Sequence, residues 1–230
     1  MNWLMTALSS SIGRKFVMGL TGLFLCFFLV IHLAGNLLLY VGPEAYDHYA
    51  HTLHEQKGFL LFAEVFLFTA FIIHILLAVR LSRDNFAARK VSYAKTSSKK
   101  GGRLAASVIA PEVWMFWSGA IVLGFLICHL GDFKFEWWWG NEFASSGSEY
   151  HKASIILRDP RVLVVYCIGS VILGVHVSHG LASAFQSLGV NHPKYTPVIH
   201  WCSIAFGWIV AIGFASFPIA WALTESAATH

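Results

Sequence analysis

The feature that most constrains this chain of 230 residues is the spacing of its charged side chains. Five long, mainly apolar stretches are free of Asp, Glu, Lys and Arg, apart from Glu64 in the second and Glu112 in the third. A helix needs about 20 apolar residues to cross roughly 30 Å of hydrocarbon, and each stretch is long enough. We therefore predict five membrane-spanning helices, at roughly 16–41, 58–80, 108–131, 161–187 and 197–223.

The overall composition agrees with this prediction. Hydrophobic residues make up 57% of the chain and charged residues only 12%, whereas soluble domains carry about 25% charged residues. The sequence therefore predicts an all-α integral membrane protein, a bundle of five helices that forms one domain over residues 1–230. No separate soluble domain is expected, and nothing indicates nucleic-acid binding.

The connections between the spans predict the orientation. Arg14 and Lys15 precede the first span, eight basic residues lie in 80–103 against the single acid Asp84, and Lys194 lies between the fourth and fifth spans. Positive residues are retained on the cytoplasmic side, so the N-terminus is expected inside and the C-terminus outside. The basic segment 80–103 has two interpretations: a topology signal in contact with anionic lipid, or a docking surface for a cytoplasmic partner.

Six of the twelve histidines fall inside the predicted spans. Ionisable side chains in a membrane are costly and are functional candidates by default. The six are His32, His74, His129, His176, His179 and His200.

Four of these histidines, on four different spans, divide into two depths. His32 lies seventeen residues after Lys15, roughly 25 Å from the inner end at 1.5 Å per residue. His129, three residues before Asp132, is also near the outer end.

The other two lie in the inner half of the membrane. His74 precedes Arg80 by six residues, about 9 Å from the inner end, and His176 follows Arg161 by fifteen, roughly 22 Å from the outer end. An outer pair, His32 and His129, and an inner pair, His74 and His176, are therefore predicted.

Facing side chains of a helical bundle commonly build cofactor sites, and two bis-histidine haems stacked across the membrane would form a path for electrons. Gly35 and Gly169 share helix faces with His32 and His176 and would leave room for a planar macrocycle. Zinc is the competing metal, but it needs three or four ligands at one depth. His179 stays an alternative to His176, because it lies one turn further on at a similar depth.

Three segments together resemble one protein family. They read S-I-G-R-K-x-x-M-G-L-T-G at 11–22, H-L-x-G-N-L at 32–37, and H-V-S-H-G-L-x-S-A-F-Q-S-L-G-x-x-H-P-K-Y at 176–195. The family is the five-helix, two-haem cytochrome b subunit of succinate:menaquinone oxidoreductases and quinol:fumarate reductases. The resemblance covers essentially the whole chain. It implies two haems b between the first four helices, held by residues that align with His32, His74, His129 and His176.

The resemblance also implies the partners and the location. A flavoprotein subunit with covalent FAD and an iron–sulfur subunit would lie on the cytoplasmic side, and this chain would be their anchor in the bacterial cytoplasmic membrane. The heterotrimer could itself form an oligomer. Electrons would pass between the iron–sulfur clusters, the two haems and a quinone, which the di-haem type suggests is menaquinone. This chain would carry no dicarboxylate site of its own.

Quinone chemistry consumes protons as well as electrons, so it needs a proton carrier near a haem. Glu64, ten residues before His74 and roughly 15 Å nearer the outside, is the main candidate, as a membrane-embedded general acid and base. Its alternative interpretation is an interfacial glutamate in contact with water. Loop acids could fill the catalytic role instead, and a second quinone site could lie at the inner face. The loop acids are Glu44, Asp47 and Glu55, and the inner site would involve Ser11 and Arg14.

Two other functions are weighed against this one. The first is the di-haem cytochrome b anchor of another respiratory oxidoreductase, but such anchors cluster their ligands on fewer helices than the four seen here. The second is a small transporter that uses Glu64 and the histidines as a proton relay.

Overall fold

The computed structural model describes residues 3, 6–7, 10–88, 111–139, 143 and 147–228. Within these residues the chain is helical and contains no strand. The helices are α1 (Ser11–Asn36), α2 (Leu38–Val41), α3 (Pro43–Glu55), α4 (Lys57–Ala88), α5 (Pro111–Phe133), α6 (Glu149–Arg158), α7 (Pro160–Ser187) and α8 (Thr196–Ala228).

Among the described residues, five helical segments are long and apolar enough to cross a membrane, which confirms the five predicted spans. We number them first to fifth; outer and inner refer to the predicted orientation. They are Ser11–Val41, Lys57–Asn85, Trp114–Phe133, Pro160–Ser187 and Thr196–Thr224.

The first two spans are longer than predicted, because charged residues lie within their inner turns. The hydroxyl of Ser10 caps the first span by accepting from the backbone N–H of Gly13, and the helix then continues through Arg14 and Lys15. Long basic side chains reach water while their backbone stays helical. Residues 89–103 of the predicted basic segment lie outside the described residues.

The first four spans form a ring. The first span packs along the second and the fourth, and the fourth also packs along the third, whereas the second and third meet only sparsely. The first and third spans therefore lie on one diagonal of the bundle, and the second and fourth on the other. The fifth span packs against the outside of the ring, mainly along the fourth.

Two glycines fix the close contact of the fourth and fifth spans. A Cβ atom added at Gly174 would lie 2.5 Å from the carbonyl oxygen of Gly207, and one added at Gly207 would lie 2.5 Å from that of Gly174. Small residues of this kind let membrane helices approach closely.

Short helices cover the outer end of the bundle. The Asp47 carboxylate of α3 accepts from the Ser148 hydroxyl and the Tyr150 backbone N–H, and so joins α3 to the start of α6. Asp159 then caps the fourth span, and the hydrogen bond from the Arg161 side chain holds the pKa of Asp159 below its usual range. An apolar cluster under the cover joins the first and fifth spans to α6. Its buried members are Leu33, Leu39, Ala153, Leu157, Phe217 and Trp221.

Candidate cofactor site

The outer histidines meet across a diagonal of the bundle. The ring centroids of His32 on the first span and His129 on the third are 5.8 Å apart, with their planes at 82°. A metal–imidazole bond is about 2 Å long, so one metal ion between two imidazoles brings their centroids to roughly 6 Å. The two side chains are thus spaced for binding a single metal ion between them.

Aromatic rings enclose this outer pair. Phe28 stacks on His32 at 5.3 Å, and Phe133 and Tyr166 lie 5.2 Å and 5.8 Å from His129. The Nδ1 atom of His129 is buried and has no hydrogen-bond partner within the described residues. Buried polar atoms are normally paired, so the unpaired Nδ1 distinguishes His129 from the other three histidines, whose Nδ1 atoms each have a polar neighbour.

The inner histidines each contact a hydroxyl and a glycine of a neighbouring span. His74 Nδ1 lies 3.3 Å from Thr21 Oγ1, and a Cβ atom at Gly22 would lie 3.5 Å from His74 Cε1. The first and second spans are thereby held in register at this level.

The same contacts recur in the other half of the ring. His176 Nδ1 lies 3.0 Å from Ser118 Oγ, and a Cβ atom at Gly119 would lie 3.3 Å from His176 Cε1. The structure therefore places the two predicted inner residues on one diagonal of the bundle, His74 against the first span and His176 against the third.

His179, the alternative to His176, has a different environment. It is exposed, and its Nδ1 lies 3.0 Å from the carbonyl oxygen of Val175 on its own helix. His200 is also exposed. His176, in contrast, contacts Ser118 on the third span.

The two glycines expected to leave room for a macrocycle contact protein side chains instead. A Cβ atom at Gly35 would lie 2.7 Å from the hydroxyl of Tyr49 in α3, and one at Gly169 would lie 2.4 Å from a ring carbon of Phe125. Both glycines therefore accommodate aromatic rings that pack between helices.

Glu64 pairs with a lysine at the outer end of the third span. Its carboxylate forms a salt bridge with the Lys134 ammonium group, and the two side chains are 33% and 46% exposed. This pair connects the second and third spans at the outer level, where the ring is otherwise sparsely packed. Lys134 follows His129 by five residues, so Glu64 lies near the level of the outer histidines.

The other candidate residues form contacts elsewhere. Asp47 belongs to the link between α3 and α6, and Glu55 pairs with His51 at 3.6 Å within α3. Arg14 binds the Asp84 carboxylate at 2.7 Å and so joins the inner ends of the first and second spans.

A polar residue beside the outer pair, Asp132, was missed by sequence reasoning. Asp132 is 6% exposed and accepts hydrogen bonds from the Tyr166 hydroxyl at 2.8 Å and the Trp139 Nε1 at 2.9 Å. Tyr166 in turn contacts His129, so this buried carboxylate lies one residue away from the outer pair. The available signal is an acid one turn after a membrane histidine, a position that also marks the end of the span.

Fold and site together define a helical protein with five candidate membrane spans and facing histidines in the ring formed by the first four. Within the described residues, no group of three or more His, Cys, Asp or Glu side chains converges to hold a metal ion. This arrangement offers histidine ligands in pairs, as in bis-histidine haem binding. Comparisons with protein-family models, curated proteins and solved structures found no match to the chain.

Proposed function

We propose that this protein is the membrane anchor of a succinate dehydrogenase or fumarate reductase complex. It transfers electrons between an iron–sulfur subunit and a quinone, with menaquinone as the expected partner, through two haems b. The observation that carries the proposal is the approach of His32 and His129 across the bundle, at a centroid distance of 5.8 Å. His74 and His176 lie on the second and fourth spans, which form the other diagonal. Haem supplies one-electron chemistry, and its axial ligands and their hydrogen bonds set the reduction potential.

Histidines at different depths would hold the two haems. His32 and His129 would hold the outer haem, and His74 and His176 the inner one. The contact of His176 with Ser118 on the third span supports His176 as the inner ligand over the exposed His179. The flavoprotein, with its FAD, and the iron–sulfur subunit would dock at the inner face, in the bacterial cytoplasmic membrane.

Glu64 is the proposed proton carrier for the quinone. Reduction of a quinone takes two electrons and two protons. A carboxylate near the outer histidines can take up a proton from water and, as the carboxylic acid, pass it to the quinone, once for each proton. The salt bridge to Lys134 holds the carboxylate at the junction of the second and third spans.

A difference spectrum tests the haems. We expect the dithionite-reduced minus oxidised spectrum of the purified protein to show the α-band of haem b, with two haems per chain. His74→Ala should remove one haem, whereas the matched change His179→Ala should keep both. A chain that binds no haem would overturn the proposal, and two haems retained in His74→Ala would show that the ligands are wrong.

Copurification separates the proposed complex from other respiratory oxidoreductases. We expect the native complex, extracted in mild detergent, to contain a protein with covalently bound FAD and an iron–sulfur protein, and to oxidise succinate or reduce fumarate. Two haems on the chain together with a different catalytic subunit would favour the alternative di-haem anchor.

A further inference from the structure

The two hydroxyls beside the inner histidines each have a second partner. Thr21 Oγ1 lies 2.9 Å from the carbonyl oxygen of Val17, and Ser118 Oγ lies 3.2 Å from that of Met115. A carbonyl oxygen can only accept, and a hydroxyl carries one proton but can also accept. With its proton on the backbone carbonyl, each hydroxyl acts as the acceptor for the facing imidazole.

This arrangement favours one tautomer of both imidazoles. His74 Nδ1, 3.3 Å from Thr21, and His176 Nδ1, 3.0 Å from Ser118, become the donors. In a neutral imidazole one nitrogen carries the proton and the other the lone pair, so Nε2 is left as the ligating atom. A metal-bound histidine characteristically donates its other ring N–H to an oxygen in this way.

The same device occurs twice in the same register. Thr21, which Gly22 follows, lies eleven residues before the outer histidine His32. Ser118 likewise lies eleven residues before the outer histidine His129. The hydroxyl contacts Nδ1 and the next glycine lies against Cε1 in both copies. The first and third spans are thus equivalent in how they seat the histidine of the following span.

The outer pair lacks this device. His129 Nδ1 has no partner among the described residues. His32 Nδ1 lies 3.4 Å from the amide nitrogen of Asn36, which can donate a hydrogen bond but not accept one. A hydrogen bond from Nδ1 to an acceptor makes the imidazole a more basic ligand. More basic ligands favour the oxidised iron, so a haem held at the inner site would have the lower reduction potential.

We propose that Thr21 and Ser118 are positioning residues of the inner haem site, which accept the Nδ1 protons of His74 and His176, direct Nε2 to the iron and lower its reduction potential. This inference rests on the proposed function. Loss of such a supporting bond typically weakens metal binding by about 10- to 100-fold.

Redox titration of the haem-loaded full chain tests the proposal. Thr21→Val and Ser118→Ala should each raise the midpoint potential of the inner haem and leave that of the outer haem unchanged. Thr21→Ser and Ser118→Thr, which keep the hydroxyl, should restore the wild-type potential. Ser203→Ala is the matched control, because Ser203 is fully buried and its hydroxyl donates to the carbonyl of Ile199 in the fifth span. Unchanged potentials in both Thr21→Val and Ser118→Ala would overturn the proposal.

A measurement on the haem-free full chain separates this inference from the proposed function. Nitrogen-15 NMR of the histidine rings in detergent should show the proton on Nδ1 of His74 and His176, and its loss from Nδ1 of His74 in Thr21→Val. A proton on Nε2 in the wild-type chain would overturn the inference even if two haems bind. A wild-type chain that binds no haem overturns the proposed function, and with it the role of the hydroxyls toward iron.

Discussion

At the scale of single residues, several polar groups in the spans have a partner on another helix. Glu64 is paired with Lys134, and Arg14 with Asp84. His74 has the hydroxyl of Thr21. Uncompensated polar groups are expensive in hydrocarbon, so these pairings make the polar residues tolerable in the membrane. An acid in a membrane span can have two roles: it can join two helices, or it can carry protons.

Glu64 provides the test of those two roles. Glu64→Gln should slow quinone-dependent turnover of the complex by roughly 100-fold, the usual size of a general acid–base contribution, and leave the haem spectrum unchanged. The measurement is succinate- or quinol-dependent turnover with a soluble menaquinone analogue.

Lys134→Gln is the matched control for Glu64, because it breaks the same salt bridge but keeps the carboxyl group. It should retain most of the turnover. An equal loss in both variants would contradict the proton-carrier role and show that Glu64 serves to join the second and third spans.

At the scale of the helices, two spans approach closely where side chains are absent. The fourth and fifth spans approach through Gly174 and Gly207, whose backbones leave no room for a methyl group. The second and third spans, in contrast, meet sparsely and are joined by the Glu64–Lys134 salt bridge at the outer level. The fifth span therefore supports the ring from outside, on the side of the fourth span.

Gly174→Ala should weaken this support. Its new methyl group would lie 2.5 Å from the Gly207 carbonyl oxygen, which belongs to the backbone, so the two helices must separate. Overpacking of this kind costs about 1–3 kcal/mol. Thermal unfolding in detergent should show a lower midpoint.

Gly124→Ala is the control within the third span, where an added Cβ atom meets nothing within 4 Å. The change should be neutral or stabilising by up to about 1 kcal/mol, because alanine is the better helix former. A loss of stability at Gly124 equal to that at Gly174 would contradict the packing argument.

At the scale of the whole molecule, charge is arranged by side. One end of the ring carries described basic residues from three segments: the N-terminal turn, the inner end of the second span, and the connection before the fifth span. Acidic α3 lies at the other, with Glu44, Asp47 and Glu55. This distribution predicts the orientation, because basic residues near the ends of spans stay in the cytoplasm.

Reporter fusions test the orientation. Alkaline phosphatase fused after the C-terminus should be active, and green fluorescent protein at the same place should be dark, because five spans place that end outside. A fusion at Val190, after the fourth span, is the control and should give the reverse result. A fluorescent fusion at the C-terminus would contradict an N-terminus in the cytoplasm.

The number and places of the spans could be predicted because apolar length is a local property of the chain. The limits of the spans were less predictable, since Arg14 and Lys15 continue the first helix instead of preceding it. The pairing of His32 with His129 was predicted from depth alone, and the structure brings these rings together. Their binding of haem stays a prediction.

Five apolar helices, and two depths for the four histidines on four of them, could be predicted from residue order, because hydrophobic length and distance along a helix follow directly from it. Which side chains face each other is seen only in the tertiary structure. Tyr49 fills the space beside Gly35, Lys134 pairs with Glu64, Asp132 is buried beside the outer pair, and Thr21 and Ser118 contact the inner histidines. The physical reason is that these contacts depend on the rotation and packing partner of each helix, which are set by all the spans together.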